Sequence, residues 1–154
     1  MSPLVFLVPV VLQGIAMLFD EGWFHRKRGL PRWERVGHPL DTLTVVACFA
    51  FLLVVSPERS GALTTYVALS VFSCLFITKD ELVHAIECEP AEQWLHSVLF
   101  LLHPVVLGAA GWLWKLGGHR HLLAGQLALS LVFALYQIVY WRFVWSAPPP
   151  SPRP

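Results

Sequence analysis

Charged side chains are scarce in this sequence. Asp, Glu, Lys and Arg make up 14% of its 154 residues, against about 25% in an ordinary soluble domain. Apolar residues make up 56%, the mean hydropathy is +0.60, and the charges stand in clusters between long apolar runs. Because a helix of about 20 mostly apolar residues crosses a bilayer core, this pattern predicts an all-α integral membrane protein.

Features typical of several other protein classes are lacking as well. The formal net charge is +1, which gives no indication of a nucleic-acid partner, so none is expected. The three cysteines form no Cys-x2-Cys motif, which argues against a disulfide framework. Cys48 and Cys74 lie in apolar runs and are expected to be small buried hydrophobes. The His-x3-His boxes typical of membrane lipid hydroxylases and desaturases are missing.

Glycine, proline and polar residues divide the apolar sequence into five predicted transmembrane helices. Their predicted bounds are residues 3–25, 34–55, 62–86, 91–116 and 122–145. The apolar N-terminus lacks the basic region of a signal peptide, so it is expected to be a retained first helix. Residues 1–146 are predicted to form one transmembrane bundle, and residues 147–154, with five prolines, a disordered tail.

Charge asymmetry predicts the orientation of the bundle. The four interhelical links are short, so neighbouring helices should be antiparallel. Eight of the eleven basic residues then lie on the side that carries links 1–2 and 3–4 and the C-terminus. Because basic residues concentrate in cytoplasmic loops, we expect the N-terminus outside and the C-terminus in the cytoplasm. The expected location is a bacterial-type inner membrane or another membrane that faces the cytoplasm.

Acidic residues and histidines gather on that same side, at a repeated spacing. Nine of the ten acidic residues lie there together with four histidines. The first hairpin, helices 1–2, contains Glu21-x3-His25 and Glu34-x3-His38, and the second, helices 3–4, contains Asp80-x3-His84 and Glu92-x3-His96. We interpret this pattern as two repeated helical hairpins, related by a pseudo-two-fold axis along the membrane normal, plus a fifth helix outside the repeat.

This spacing favours a metal site. Residues four apart share a helix face, so four helices can each direct one carboxylate and one imidazole to a common centre. The likeness to ferritin-like di-iron bundles, which use Glu and Glu-x2-His pairs, is one of architecture. Carboxylate and imidazole ligands suit iron, zinc or manganese, and bridging carboxylates can hold two ions. The predicted metal ligands are Glu21, His25, Glu34, His38, Asp80, His84, Glu92 and His96.

The sequence leaves the roles of several nearby residues open. Asp20 competes with Glu21 as a ligand, and Glu81 competes with Asp80. Asp41 either orients the His38 ring or is an ordinary polar residue near the start of its helix. His103, deeper in helix 4, is a further ligand, a haem ligand or a hydrogen-bonded core residue. Charged helix ends that contact water and lipid headgroups are the simplest alternative to a metal site.

The preferred hypothesis is a metal-dependent membrane enzyme with its site at the cytoplasmic face. A membrane-embedded helical bundle with a polar site at one end suits an amphipathic substrate such as a lipid, isoprenoid or quinone-like compound. Iron would serve oxidation by O₂, and zinc would serve hydrolysis or transfer. The alternatives are a metal-ion or proton transporter or channel, and a non-catalytic membrane subunit of a larger complex. Homo-oligomerisation is compatible with all three hypotheses.

Overall fold

The five predicted transmembrane helices are confirmed. A computed structural model describes residues 2–145, apart from the side chains of Leu82 and Val83, and its regular elements are all helical. The helices long and apolar enough to cross a membrane are α1 (Leu4–Arg28), α2 (Arg32–Val54), α3 (Ala62–Glu87), α4 (Pro90–Lys115) and α5 (Arg120–Val144). Their bounds agree with the sequence prediction within three residues. The predicted tail at 147–154 lies outside the described residues.

Glycine and proline residues explain where several helices begin and end. Gly29 terminates α1 with a φ of 76°, a positive value that glycine adopts without steric cost. A side chain there would also collide with Trp145, since a Cβ on Gly29 would lie 2.5 Å from the indole. Pro90 begins α4, where the missing amide proton costs nothing. The links between successive helices are short. The prediction that neighbouring helices are antiparallel depended on this.

Apolar side chains cover both the core and the outside of the bundle. The core cluster includes Phe6, Phe49, Tyr66 and Leu107, and these residues lie toward the end of the bundle where α1 and α3 begin. Large apolar residues such as Leu18, at 67% exposure, face outward along the helices. In water such a surface would be unfavourable, whereas lipid chains solvate it well. We call the opposite end, where α1 and α3 finish and α2 and α4 begin, the site face.

Three helices depart from regular α geometry at the site face. Asp20–His25 of α1 and Tyr140–Val144 of α5 form π-helical turns, and Ile77–Asp80 of α3 forms a 3-10 turn. The α1 sequence has three residues between Glu21 and His25, whereas α3 has two between Glu81 and His84. A π turn accommodates one extra residue in a helix, and such turns are frequent at functional sites. The local geometry thus adapts α1 to the cluster described below.

Helix packing gives α5 a structural role. It packs along α2, while α1 packs along α4 and α3 lies against both α2 and α4. Thr42 of α2 donates a hydrogen bond to Gln137 of α5 at 2.8 Å. The proposed hairpin repeat stays a prediction, because packing of this kind does not test it.

Candidate metal centre

A buried cluster of carboxylates and imidazoles occupies the site face. We call it the acid–histidine cluster. All eight residues predicted as metal ligands belong to it, and Asp20 joins them. Eight of its nine members are at most 6% exposed, and His38 is half-buried. The cluster consists of Asp20, Glu21, His25, Glu34, His38, Asp80, His84, Glu92 and His96.

Asp20 and Glu92 bring together the histidines of α1 and α4. Both carboxylate oxygens of Asp20 lie 3.1 Å from Nε2 of His96, and one lies 3.3 Å from Nε2 of His25. An oxygen of Glu92 is 3.8 Å from that same His25 nitrogen. One ligand atom from each of these four buried residues lies within 4.8 Å of the others. We call Asp20, His25, Glu92 and His96 the four-residue group.

A second group shares His25. Its members are Glu21, His25 and His38, whose ligand atoms also lie within 4.8 Å of one another. Glu21 accepts a hydrogen bond from Nδ1 of His25 at 3.0 Å and another from the indole of Trp141 on α5. The indole therefore fixes the orientation of a carboxylate that in turn orients His25.

His84 has unsatisfied hydrogen-bonding capacity although it is buried. Within residues 2–145 neither of its ring nitrogens has a hydrogen-bond partner. Its Nε2 lies 3.7 Å from Oε1 of Glu34, an atom that also lacks a partner there. Its ring centroid is 4.0 Å from that of His96. Buried polar atoms without partners are costly, so these atoms are suited to a ligand.

Cys88 belongs to this part of the cluster. One ligand atom from each of His84, Cys88 and His96 lies within 4.8 Å of the others. Burial raises the pKa of the Cys88 thiol above its usual value, and the nearby Glu92 and Glu34 add to this effect while Arg28 opposes it. The thiol therefore keeps its proton at neutral pH unless a cation displaces it.

Arg28 links the two hairpins. One of its guanidinium nitrogens lies 2.9 Å from Glu92 and 3.0 Å from Glu34. Both carboxylates are almost completely buried, whereas the Arg28 side chain is 16% exposed. The guanidinium closes the cluster toward the polar side and holds α2 against α4.

Asp80 and Asp41 have local partners instead. Asp80 accepts a hydrogen bond from the Trp33 indole at 3.0 Å, and Lys79 donates to Asp80 at 2.9 Å and to Asp41 at 2.6 Å. Asp80 is outside the three candidate metal groups found among the described residues. Glu81, the alternative to Asp80, is half-buried and accepts a bond from Gln93 at 3.3 Å.

His103 lies deeper, in a short chain of hydrogen bonds. Its Nε2 is 2.9 Å from the Ser73 hydroxyl, which is 2.7 Å from the Thr44 hydroxyl. Thr44 donates in turn to the backbone carbonyl of Asp41. His103 is thus hydrogen-bonded within the core, as one of the three sequence interpretations expected.

The carboxylates in and beside the cluster outnumber the basic side chains that contact them. Its five carboxylates and the neighbouring Asp41 carry six negative charges when ionised, and Arg28 and Lys79 supply two positive charges. Four negative charges remain. Protonating all four histidines would match them, but the His84–His96 and His25–His38 centroids are 4.0 and 4.8 Å apart, and paired imidazolium ions would repel. With one charged ring in each pair, two negative charges still remain, which is the charge of one divalent cation.

Sequence reasoning missed three participants: Arg28, Cys88 and Trp141. Cys88 follows His84 by four residues, the same spacing as the acid–histidine pairs, so this signal was available. Arg28 and Trp141 carried no such signal, because their partners lie on other helices.

Comparison with known proteins adds no family assignment. No protein-family model matches the sequence, and neither a curated protein nor a solved structure is significantly similar to it.

Proposed function

We propose that this chain is a metal-dependent integral membrane enzyme whose reactive centre is the four-residue group. The observation that carries the proposal is the convergence of four buried ligand residues, two from α1 and two from α4, on one point. The charge of the cluster supports it, since a divalent cation would balance buried carboxylates that the described cations leave unpaired. Buried charge without such balance is strongly unfavourable in a membrane protein.

The ligand set limits the metal. Two imidazoles and two carboxylates suit iron, zinc or manganese and argue against magnesium or calcium, which prefer oxygen ligands throughout. When bound, such an ion supplies O₂ chemistry if it is iron, or an activated water if it is zinc. Glu21 and Trp141 would hold the His25 ring in place, as partners of metal-bound histidines commonly do.

The surroundings of the site favour an amphipathic substrate. An apolar groove of ≈ 270 Å³ lies between α2 and α3, lined by Leu40, Leu43, Thr44, Ala47, Leu69, Phe72 and Phe76. Its lining residue Leu40 is two residues after His38 on α2, so the groove starts at about the depth of the cluster. We assign it to the hydrocarbon chain of a lipid, isoprenoid or quinone-like substrate, whose polar end would reach the cluster. The substrate would enter from the membrane and react at the site face, which we place in the cytoplasm.

Transport is less well supported by the contacts. A metal-ion or proton pathway needs polar groups that continue through the bundle. Among the described residues the chain from Thr44 ends at His103, and the core beyond it is the apolar cluster around Phe49 and Leu107. A non-catalytic membrane subunit, the third hypothesis, gives no reason for the buried atoms of His84 and Glu34 that have no partner among residues 2–145.

Metal analysis tests the proposal first. Full-length protein is purified in detergent from metal-replete cells without chelator, and bound iron, zinc and manganese are measured. We expect at least about one equivalent in the wild type and a loss of most of it in His25→Ala and in His96→Ala. His121→Ala, an exposed residue near the other membrane surface, is the matched control and should keep the wild-type content. A metal-free wild type would overturn the proposal.

Activity is tested in the membrane itself. Lipid extracts of cells that express the wild type are compared by mass spectrometry with extracts of cells that express Asp20→Asn at equal protein level. We expect at least one lipid-soluble compound whose mass changes with the wild type alone. Extracts that stay identical while the purified wild type contains metal would argue for a structural metal and against an enzyme of this substrate class.

A further inference from the structure

We infer that the cluster contains a second cation site, with a thiolate ligand, next to the four-residue group. It is formed by His84 and Cys88, whose ligand atoms converge beside His96, with Glu34 facing His84. The inference rests on the proposed function, since it adds a second ion to the same centre. It was not expected from the sequence, which assigned no role to Cys88. It makes the centre a two-ion site with unlike ligand sets.

His84 provides the first observation. The residue is 4% exposed, and within the described part of the chain neither ring nitrogen has a partner. Its Nε2 points toward Oε1 of Glu34 at 3.7 Å, and that oxygen is buried and equally without a partner. Such a distance is too long for a hydrogen bond. It does suit two atoms that bind one ion between them, each at about 2.0–2.2 Å.

Cys88 provides the second observation. It follows His84 by four residues, at the end of α3, and one ligand atom from each of Cys88, His84 and His96 lies within 4.8 Å of the others. His96 directs Nε2 to Asp20, and its Nδ1 has no partner among residues 2–145. The second site therefore adjoins the first along the His96 ring.

Charge balance is compatible with a second ion. Histidines that bind a metal are neutral, and when all four imidazoles of the cluster are neutral, four negative charges remain beside Arg28 and Lys79. One divalent ion would offset half of them. Two divalent ions would bring the cluster within one charge of neutrality, even with Cys88 present as a thiolate.

The donor atoms define the class of ion. A thiolate with imidazole and carboxylate suits zinc, iron or cobalt and disfavours manganese, magnesium and calcium. The four-residue group lacks sulfur and accepts a wider range. The two positions should therefore differ in spectroscopy, because cobalt bound to a thiolate absorbs light through sulfur-to-metal charge transfer and cobalt bound to nitrogen and oxygen does not.

Titration with cobalt tests the inference. Full-length protein in detergent is stripped of metal and titrated with Co(II), while equilibrium dialysis measures bound metal and absorption spectroscopy follows thiolate ligation. We expect about two equivalents and a thiolate charge-transfer band in the wild type. Cys88→Ser, a nearly isosteric change, should abolish the band, and His84→Ala should reduce binding to about one equivalent. Cys74→Ser, which changes a half-buried cysteine within α3, is the matched control and should keep both.

The outcomes separate this inference from the proposed function. One equivalent without a charge-transfer band, unaffected by His84→Ala, would overturn the second site and leave the first intact. A band that persists in Cys88→Ser would also overturn it. No bound cobalt at all would overturn both. Size-exclusion profiles and helical circular dichroism that match the wild type show that a variant is folded.

Discussion

Asp20 and His96 face each other across the bundle, with both carboxylate oxygens 3.1 Å from Nε2 although 76 residues separate the two in the chain. A contact of this kind joins the end of α1 to the first turns of α4. It places a carboxylate from the π-helical turn where sequence spacing alone favoured Glu21. The relationship therefore selects Asp20 as a ligand candidate of the four-residue group.

Removing the charge of Asp20 should remove the metal. Asp20→Asn keeps the size of the side chain but replaces an anionic ligand between two imidazoles, so we expect metal affinity to fall by at least about tenfold. Competition with a coloured chelator measures this change. Asp41→Asn is the control, because Asp41 binds Lys79 and lies outside the candidate metal groups. Equal affinity in the two variants would count against Asp20 as a ligand.

Replacing Arg28 should destabilise the metal-free protein more than the loaded one. Arg28→Gln leaves Glu34 and Glu92 buried without their shared cation, and breaking a buried ion pair costs about 3–5 kcal/mol. A bound ion would supply part of the missing charge. Thermal unfolding in detergent, with and without zinc, measures both states.

The control for Arg28 is Arg26→Gln. Arg26 is exposed, and its contacts are a hydrogen bond to Tyr136 at 3.4 Å and the Tyr140 ring, whose centroid is 4.9 Å away. Its replacement should change stability by about 1 kcal/mol or less. An equal loss of stability with and without zinc in Arg28→Gln would mean that no ion approaches Glu34 and Glu92.

Trp141 should influence metal affinity without being a ligand. Trp141→Phe keeps most of the buried ring but removes the indole donor to Glu21. Partners of this kind are worth about 10-fold to 100-fold in metal affinity, and we expect a loss in that range with normal folding. Calorimetric metal titration provides the measurement. Trp112→Phe, an exposed tryptophan toward the other end of α4, should bind metal as the wild type does.

Gly111 and Gly108 form a matched pair on α4 for testing the core. A Cβ at Gly111 would lie 2.5 Å from the Tyr66 ring, whereas a Cβ at Gly108 meets nothing within 4 Å. Gly111→Ala should therefore cost about 1–3 kcal/mol by overpacking. Gly108→Ala should be neutral or stabilise by up to about 1 kcal/mol through helix propensity. Thermal unfolding of both in the same detergent checks the contrast, and equal midpoints would contradict the close α3–α4 contact.

The membrane architecture could be predicted from the sequence because it depends on one-dimensional properties. A run of apolar residues long enough to cross a bilayer must be helical there, since no water is available to the backbone. Breakers such as Gly29, Gly61 and Pro90 then give the ends. The same one-dimensional logic placed the acid–histidine pairs at one face.

The partners within the cluster could be predicted less well. A spacing of four residues tells which side chains share a helix face, but not which neighbouring helix they meet. Asp80 has a suitable spacing to His84, yet Trp33 and Lys79 bind it. Trp141 comes from α5, which the repeat interpretation set aside. The choice of Asp20 depends on the π-helical turn, and such a turn leaves no clear trace in hydrophobic periodicity.

The π-helical turn at Asp20–His25 gives α1 a spare residue, which has a consequence for how this helix can change in evolution. In a regular helix, inserting or deleting one residue rotates everything beyond it by about 100°. Here the turn absorbs the extra residue, so Phe6 packs in the core while His25 faces the cluster. Gly22 is the residue whose deletion should disturb packing least, because a Cβ built at its position meets no atom within 4 Å. Its loss would convert the α1 motif to the Asp-Glu-x2-His spacing of α3, so the two motifs differ in length by one residue.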